Sequence, residues 1–208
     1  RGAYPVIRLD QDGDLWTLTL ARPDKANALT REMLVTLEEG VARAVAGGAK
    51  ALVLTGEGKV FSAGADLDGM ANGLGSAPEW GRVSARLDAA PCLTVAALNG
   101  TLAGGAFHLA LPCDLRICVE GAEFFYPVMK RGYLPQPSDP PRLAALVGPA
   151  RAKEIFLAGA RIGAEQALAW GLVNRVVARE ALMDATRALC ADVLAATPDH
   201  SRAIKRLF

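Results

Sequence analysis

The sequence predicts an α/β fold, and three observations lead there. Two short apolar runs, Ala51 to Leu54 and Leu93 to Leu98, the second interrupted only by Thr94, have the length of strands covered on both faces. Between and after them lie stretches with apolar residues at helical spacing. Two further runs, Phe61-Ser62-Ala63-Gly64-Ala65-Asp66-Leu67 and Asn99-Gly100-Thr101-Leu102-Ala103-Gly104-Gly105-Ala106-Phe107-His108, each read as a strand entering a turn of small residues that opens a helix. Turns of this kind leave backbone N–H groups pointing outward.

The elements follow in order. Pro5 to Leu9 and Leu15 to Leu20 alternate like strands, and Gln11-Asp12-Gly13-Asp14 between them is a hairpin signal. Thr30 can cap a helix with the apolar face Leu34, Leu37, Val41, Ala44 and Val45, ended by Gly47-Gly48. Asn72 to Ser76 reads as a Gly-rich loop, Glu79 to Ala89 as a helix and Gly104 to Leu111 as a short helix. Leu115 to Val119 and Glu123 to Phe125 read as strands. Asp139-Pro140-Pro141 has the form of an N-cap with proline in the first turn, opening a helix to Leu146. Helices are expected over Ala150 to Ala158, Ala164 to Ala169 and Glu180 to Ala196.

Composition narrows the function. A chain of 208 residues reads as one fold with a real core, 51% hydrophobic but only 6% aromatic. The 23 basic and 22 acidic residues leave a net charge of +1, which gives no electrostatic case for nucleic acid or an anionic membrane surface. No apolar run is long enough to span a bilayer, and no signal peptide is visible. Four cysteines without a C-x-x-C pair and two histidines argue against a metal site and for reduced thiols in a cytoplasmic protein. The chain begins without Met and ends within a helical pattern, which reads as a trimmed protein.

The two strand–turn–helix runs resemble the crotonase superfamily, the enoyl-CoA hydratase/isomerase family. So do Arg22-Pro23-Asp24-Lys25-Ala26-Asn27-Ala28-Leu29 and the stretch from Ala160-Arg161-Ile162-Gly163 to Trp170-Gly171-Leu172-Val173. Four motifs in order cover nearly the whole chain. The resemblance implies a spiral of repeated ββα units (1–148) carrying the acyl-CoA site, and a helical C-terminal part (149–208). It implies an acyl-CoA thioester as substrate, coenzyme A only as part of that substrate, and a homotrimer or dimer of trimers. The thioester oxygen is expected between the N–H groups of Ala65 and Gly105. Lys25, Ala26, Ala63, Gly64, Asp66, Leu67, Gly104, Val128 and Leu134 are the expected substrate-binding residues. The physical reason stands apart from any family: a thioester that becomes enolate-like gains charge on its oxygen, and a fixed donor there can be worth ~3–4 kcal/mol.

One departure matters. In the register of the resemblance, the two Glu residues that do acid–base work fall at His108 and Val128. Val cannot transfer a proton, and each positioned acid or base contributes ~10²–10⁴ in rate. His108, one turn past the expected oxyanion donors, is the candidate replacement, with its ring expected to face the thioester. Asp139 reads as a cap, and Tyr126, Lys130 and Tyr133 as packing or surface residues. Two functions lead, with a purely structural trimer without CoA affinity as a third. One is a lyase or isomerase acting through a thioester enolate, by hydration, double-bond shift, decarboxylation or C–C cleavage. The other is a non-catalytic acyl-CoA-binding protein that kept the cradle alone. Gly56-Glu57-Gly58-Lys59 is no P-loop, since Val60 stands where Ser or Thr is needed.

Overall fold

A computed structural model describes residues 5–208. Strands β1 (Ile7–Asp12) and β2 (Leu15–Leu20) form an antiparallel hairpin, with Asp12 opposite Leu15. The first strand starts later and runs further than the alternation from Pro5 to Leu9 predicts. Pairing with β2 carries the ladder through Gln11 and Asp12, and Gly13 takes the turn at φ +59°. Helix α1 (Arg31–Ala46) starts where expected: the Thr30 hydroxyl accepts from the Met33 N–H, and Met33, Leu34, Leu37, Val41 and Ala44 are buried.

Three ββα units follow. The first is β3 (Ala51–Gly56), β4 (Val60–Ser62), α2 (Leu67–Ala71) and α3 (Pro78–Asp88). The second is β5 (Leu93–Leu98), β6 (Thr101–Ala103) and α4 (Phe107–Ala110). The third is β7 (Leu115–Val119), β8 (Glu123–Phe125), α5 (Val128–Arg131) and α6 (Asp139–Val147). In each unit the first strand joins one sheet and the second bends away into another. The larger sheet runs β1-β2-β3-β5-β7 and the smaller β4-β6-β8. Beyond the hairpin, β2, β3, β5 and β7 pair in parallel, as do β4, β6 and β8. Their first strands are covered on both faces, and Leu52, Val53, Val95, Ala96, Ile117 and Cys118 have no exposed surface. This is the spiral that the fourfold motif resemblance implies.

The bends are fixed by buried amides. Asn27 Nδ2 donates to the carbonyls of Glu57 and Val60, and Asn99 Nδ2 to those of Gly58 and Val60. At the second bend the chain passes so close to the first that a Cβ on Gly100 would lie 1.9 Å from the Lys59 carbonyl oxygen.

The C-terminal part is α7 (Pro149–Phe156), β9 (Ile162–Gly163), α8 (Ala164–Trp170), β10 (Arg175–Val177), α9 (Leu182–Leu189), α10 (Ala191–Ala195) and α11 (Pro198–Lys205). It is not purely helical: β9 pairs antiparallel with β8, and β10 extends the larger sheet beside β7. The single helix expected over Glu180 to Ala196 is broken. A 3₁₀ turn precedes α9, and at Cys190 the N–H is shared between the Thr186 and Arg187 carbonyls, which interrupts the α-helical ladder. The helix expected from Gly104 likewise begins as a 3₁₀ turn. Gly104 sits at φ +54°, outside the α-helical region, so α4 starts only at Phe107. Among the described residues no helix is long and apolar enough to cross a membrane.

Candidate active site

Strands β4 and β6 are parallel neighbours, so the turns that leave their C-terminal ends emerge side by side. The first is Ala63-Gly64-Ala65 and the second Gly104-Gly105. They touch. A Cβ on Gly64 would stand 2.9 Å from the Ala103 carbonyl oxygen and 3.1 Å from the Gly105 nitrogen, and Gly64 has φ +93°. Glycine is needed there on both counts.

The other side of the first turn is tied to the loop before α1. Leu29 N–H donates to the Gly64 carbonyl and Asp66 N–H to the Leu29 carbonyl, a parallel bridge opposite Ala65. Ala63 N–H donates to the Ala26 carbonyl. Because both flanking groups face Leu29, the N–H of Ala65 itself faces the opposite way, as alternation along extended backbone requires. Ser62 Oγ donates to the Asn27 carbonyl and accepts from Gly64 N–H, which locks the turn from beneath. Trp80 lies against the second turn, where a Cβ on Gly105 would meet its ring at 3.0 Å.

A cleft of about 680 Å³ opens in front of these turns. Lys25, Ala26, Ala63, Ala65, Asp66, Leu67, Gly104, Gly105, Val128 and Leu134, all singled out from sequence, line it together. Gly64 and His108 do not; both are buried behind the wall. Leu134 is 92% exposed and Val128 8%, so one stands at the rim and the other inside. Arg22 and Asp66 pair across the wall at 2.8 Å, and the Arg22 Nη1 also donates to the Ala28 carbonyl. The guanidinium of Arg22 holds the Asp66 carboxyl below its ordinary value. Asp66 also accepts from Gly69 N–H at the start of α2, so its oxygens serve the fold before any ligand.

His108 departs from expectation. The residue is 2% exposed, packed at a steep angle to Trp80 with ring centroids 6.1 Å apart, and does not line the cleft. Its Nδ1 lies 2.6 Å from Asp139 Oδ1, and Nε2 is enclosed without a partner. Asp139 is not the cap that the Asp-Pro-Pro pattern suggests. Ser138 precedes the helix, no side chain caps it, and the Asp139 carboxyl turns inward because two donors wait there, His108 and the Tyr126 hydroxyl at 2.9 Å. Tyr126 is a wall residue of the cleft rather than a surface one. Burial, and then the Asp139 charge, push its phenol ionisation far up. Neither Trp80 nor the Tyr126–Asp139 bond has a local sequence signal, since each contact joins distant segments. Among the described residues no group of three or more His, Cys, Asp or Glu is placed to hold a metal.

The enoyl-CoA hydratase/isomerase family model matches residues 10–208. The probable enoyl-CoA hydratase echA6 of Mycobacterium bovis is 36% identical over 82% of this chain and 70% of its own length. A carnitinyl-CoA dehydratase of Escherichia coli is 34% identical over 97% of this chain and 79% of its own. The enoyl-CoA hydratase subunit I structure from Geobacillus kaustophilus superposes with a TM-score of 0.90 at 36% identity, over 98% of this chain and 80% of that one. Sequence match and shared architecture agree over nearly every described element, and the chain belongs to the enoyl-CoA hydratase/isomerase family.

Proposed function

We propose that the chain is an enzyme that binds an acyl-CoA thioester in this cleft and stabilises an enolate on the thioester oxygen between the N–H groups of Ala65 and Gly105. The observation that carries the reading is the contact of Gly64 with Gly105, which joins two turns at the cleft wall and leaves the Ala65 N–H facing away from its backbone partner Leu29. Two fixed donors oppose developing negative charge without having to reorganise. The reaction is one that passes through an enolate: hydration or dehydration, double-bond shift, decarboxylation or C–C cleavage. Val128, inside the wall, supplies no proton, and His108, the acid–base candidate that the sequence offers in place of the family's carboxylate pair, sits behind that wall. Coenzyme A enters only as part of the substrate, with Lys25 and Ala26 at the rim toward its nucleotide end. Assembly as a homotrimer or dimer of trimers belongs to the same reading and is checked by light scattering.

The test is incubation in deuterated water with enoyl-, acyl-, malonyl- and β-ketoacyl-CoA thioesters, read by mass spectrometry. Added water, α-deuterium, lost carbon dioxide or a cleaved chain names the reaction. The enclosure of His108 behind the wall favours a second reading, a non-catalytic acyl-CoA-binding protein. Thioesters that bind and all return unchanged would establish that one instead.

A further inference from the structure

Asp139 has no exposed surface, yet both its oxygens are engaged: Oδ1 with His108 Nδ1 at 2.6 Å and Oδ2 with the Tyr126 hydroxyl at 2.9 Å. A carboxylate withdrawn from water needs donors on its oxygens. The Tyr126 O–H therefore donates, and His108 carries its proton on Nδ1. The remaining ring nitrogen, Nε2, is enclosed and unpartnered. His108 thus orients the carboxylate through its Nδ1. Of the three groups only Tyr126 lines the cleft. Its ring is held between Phe107 and Phe156, with centroids 5.4 and 5.0 Å away, and the Gln136 N–H donates to its hydroxyl at 3.3 Å.

We propose that Tyr126 is a catalytic residue that exchanges a proton with the bound thioester, with Asp139 as the base behind it and His108 as the residue that positions Asp139. The proposal rests on the enolate reading above and relocates its proton transfer from His108 to the cleft wall. In the forward step the proton on the thioester α-carbon goes to the Tyr126 oxygen. The C–H electron pair becomes the enolate π bond, and charge moves to the thioester oxygen. In the same movement the phenolic proton passes to Asp139 Oδ2. Tyr126 ends as a phenol and Asp139 as a neutral acid, and reversal returns the proton to carbon. The concerted path matters because burial and the Asp139 charge disfavour a free phenolate. Nothing is oxidised or reduced.

The experiment measures α-deuterium exchange into a bound acyl-CoA in deuterated water, beside the thioester Kd. Tyr126→Phe, which keeps the ring between its aromatic neighbours, is expected to slow exchange by about 10²–10⁴ while Kd stays within about threefold. Asp139→Asn is expected to do the same. Replacing tyrosine by 3-fluorotyrosine, which acidifies the phenol but keeps it, is expected to change the exchange rate severalfold in an otherwise native protein. The ¹⁵N spectrum, with only His108 and His200 to assign, is expected to show a proton on His108 Nδ1. Exchange in Tyr126→Phe within threefold of wild type, or a His108 Nδ1 that carries no proton, overturns the proposal and leaves the enolate reading standing. A wild-type protein that binds thioesters and exchanges none overturns both.

Discussion

Gly64 and Gly105 meet without side chains between them: the Gly105 nitrogen lies 3.1 Å from where a Gly64 Cβ would be. Everything proposed for the cleft depends on this contact. Gly64→Ala adds a methyl group against the Ala103 carbonyl and forces alanine into a positive φ. A loss of ~1–3 kcal/mol in stability is expected. Turnover of any accepted thioester should fall at least tenfold, because the turns must part. Denaturant melts and the exchange assay, on one preparation, check both.

Asn27 holds three segments at once. Its Oδ1 accepts from Arg22 N–H, its Nδ2 donates to the Glu57 and Val60 carbonyls, and its backbone sits at φ +51°. Asn27→Ala strips all three bonds from a fully buried site. A loss of ~2–4 kcal/mol is expected in urea unfolding.

The Arg22–Asp66 pair sets a pH dependence. Arg22 first, and the Gly69 N–H after it, hold the folded-state pKa of Asp66 below its ordinary value of 3.8. A depressed carboxylate stabilises the fold above that ordinary value, and the contribution fades as pH falls through the lower, folded one. Between about pH 5 and about pH 2, wild type should lose more stability than Asp66→Asn, in which the titrating group is gone. Urea midpoints across that range measure the difference. The gap should narrow with added salt, because both side chains are partly exposed.

All four cysteines are buried and free. Desolvation pushes Cys113 and Cys118 up to about 12, Cys190 to about 11, and Cys92 upward. A thiol-specific reagent at neutral pH should therefore leave the native protein unlabelled and modify all four after denaturation. Early labelling of any one would show a local opening of its element.

The sequence disclosed what local chemistry controls. The buried strands, the Thr30 cap and the two small-residue turns were legible because strand length, capping and glycine each act over a few residues. The pairing of those turns was legible only through resemblance, since β4 and β6 are three residues each and carry no period of their own. The strands β9 and β10, two and three residues long, carry no period for the same reason. Asp139 shows the limit most clearly. Before two prolines, an aspartate has good local reason to cap a helix. It turns inward because His108 and Tyr126, from other parts of the chain, offer it two donors. From its place one turn past Gly105, His108 is expected to face the thioester. The side chain of Trp80, from α3, lies over that face instead.

The last strand of the larger sheet has a consequence for how the molecule is made. During synthesis β7 leaves the ribosome long before β10, and until Arg175–Val177 arrives its outer edge offers open N–H and C=O groups flanked by Ile117, Cys118 and Val119. An unpaired apolar edge is a template for another copy of itself. A nascent chain that stalls short of Arg175 is therefore expected to aggregate through β7.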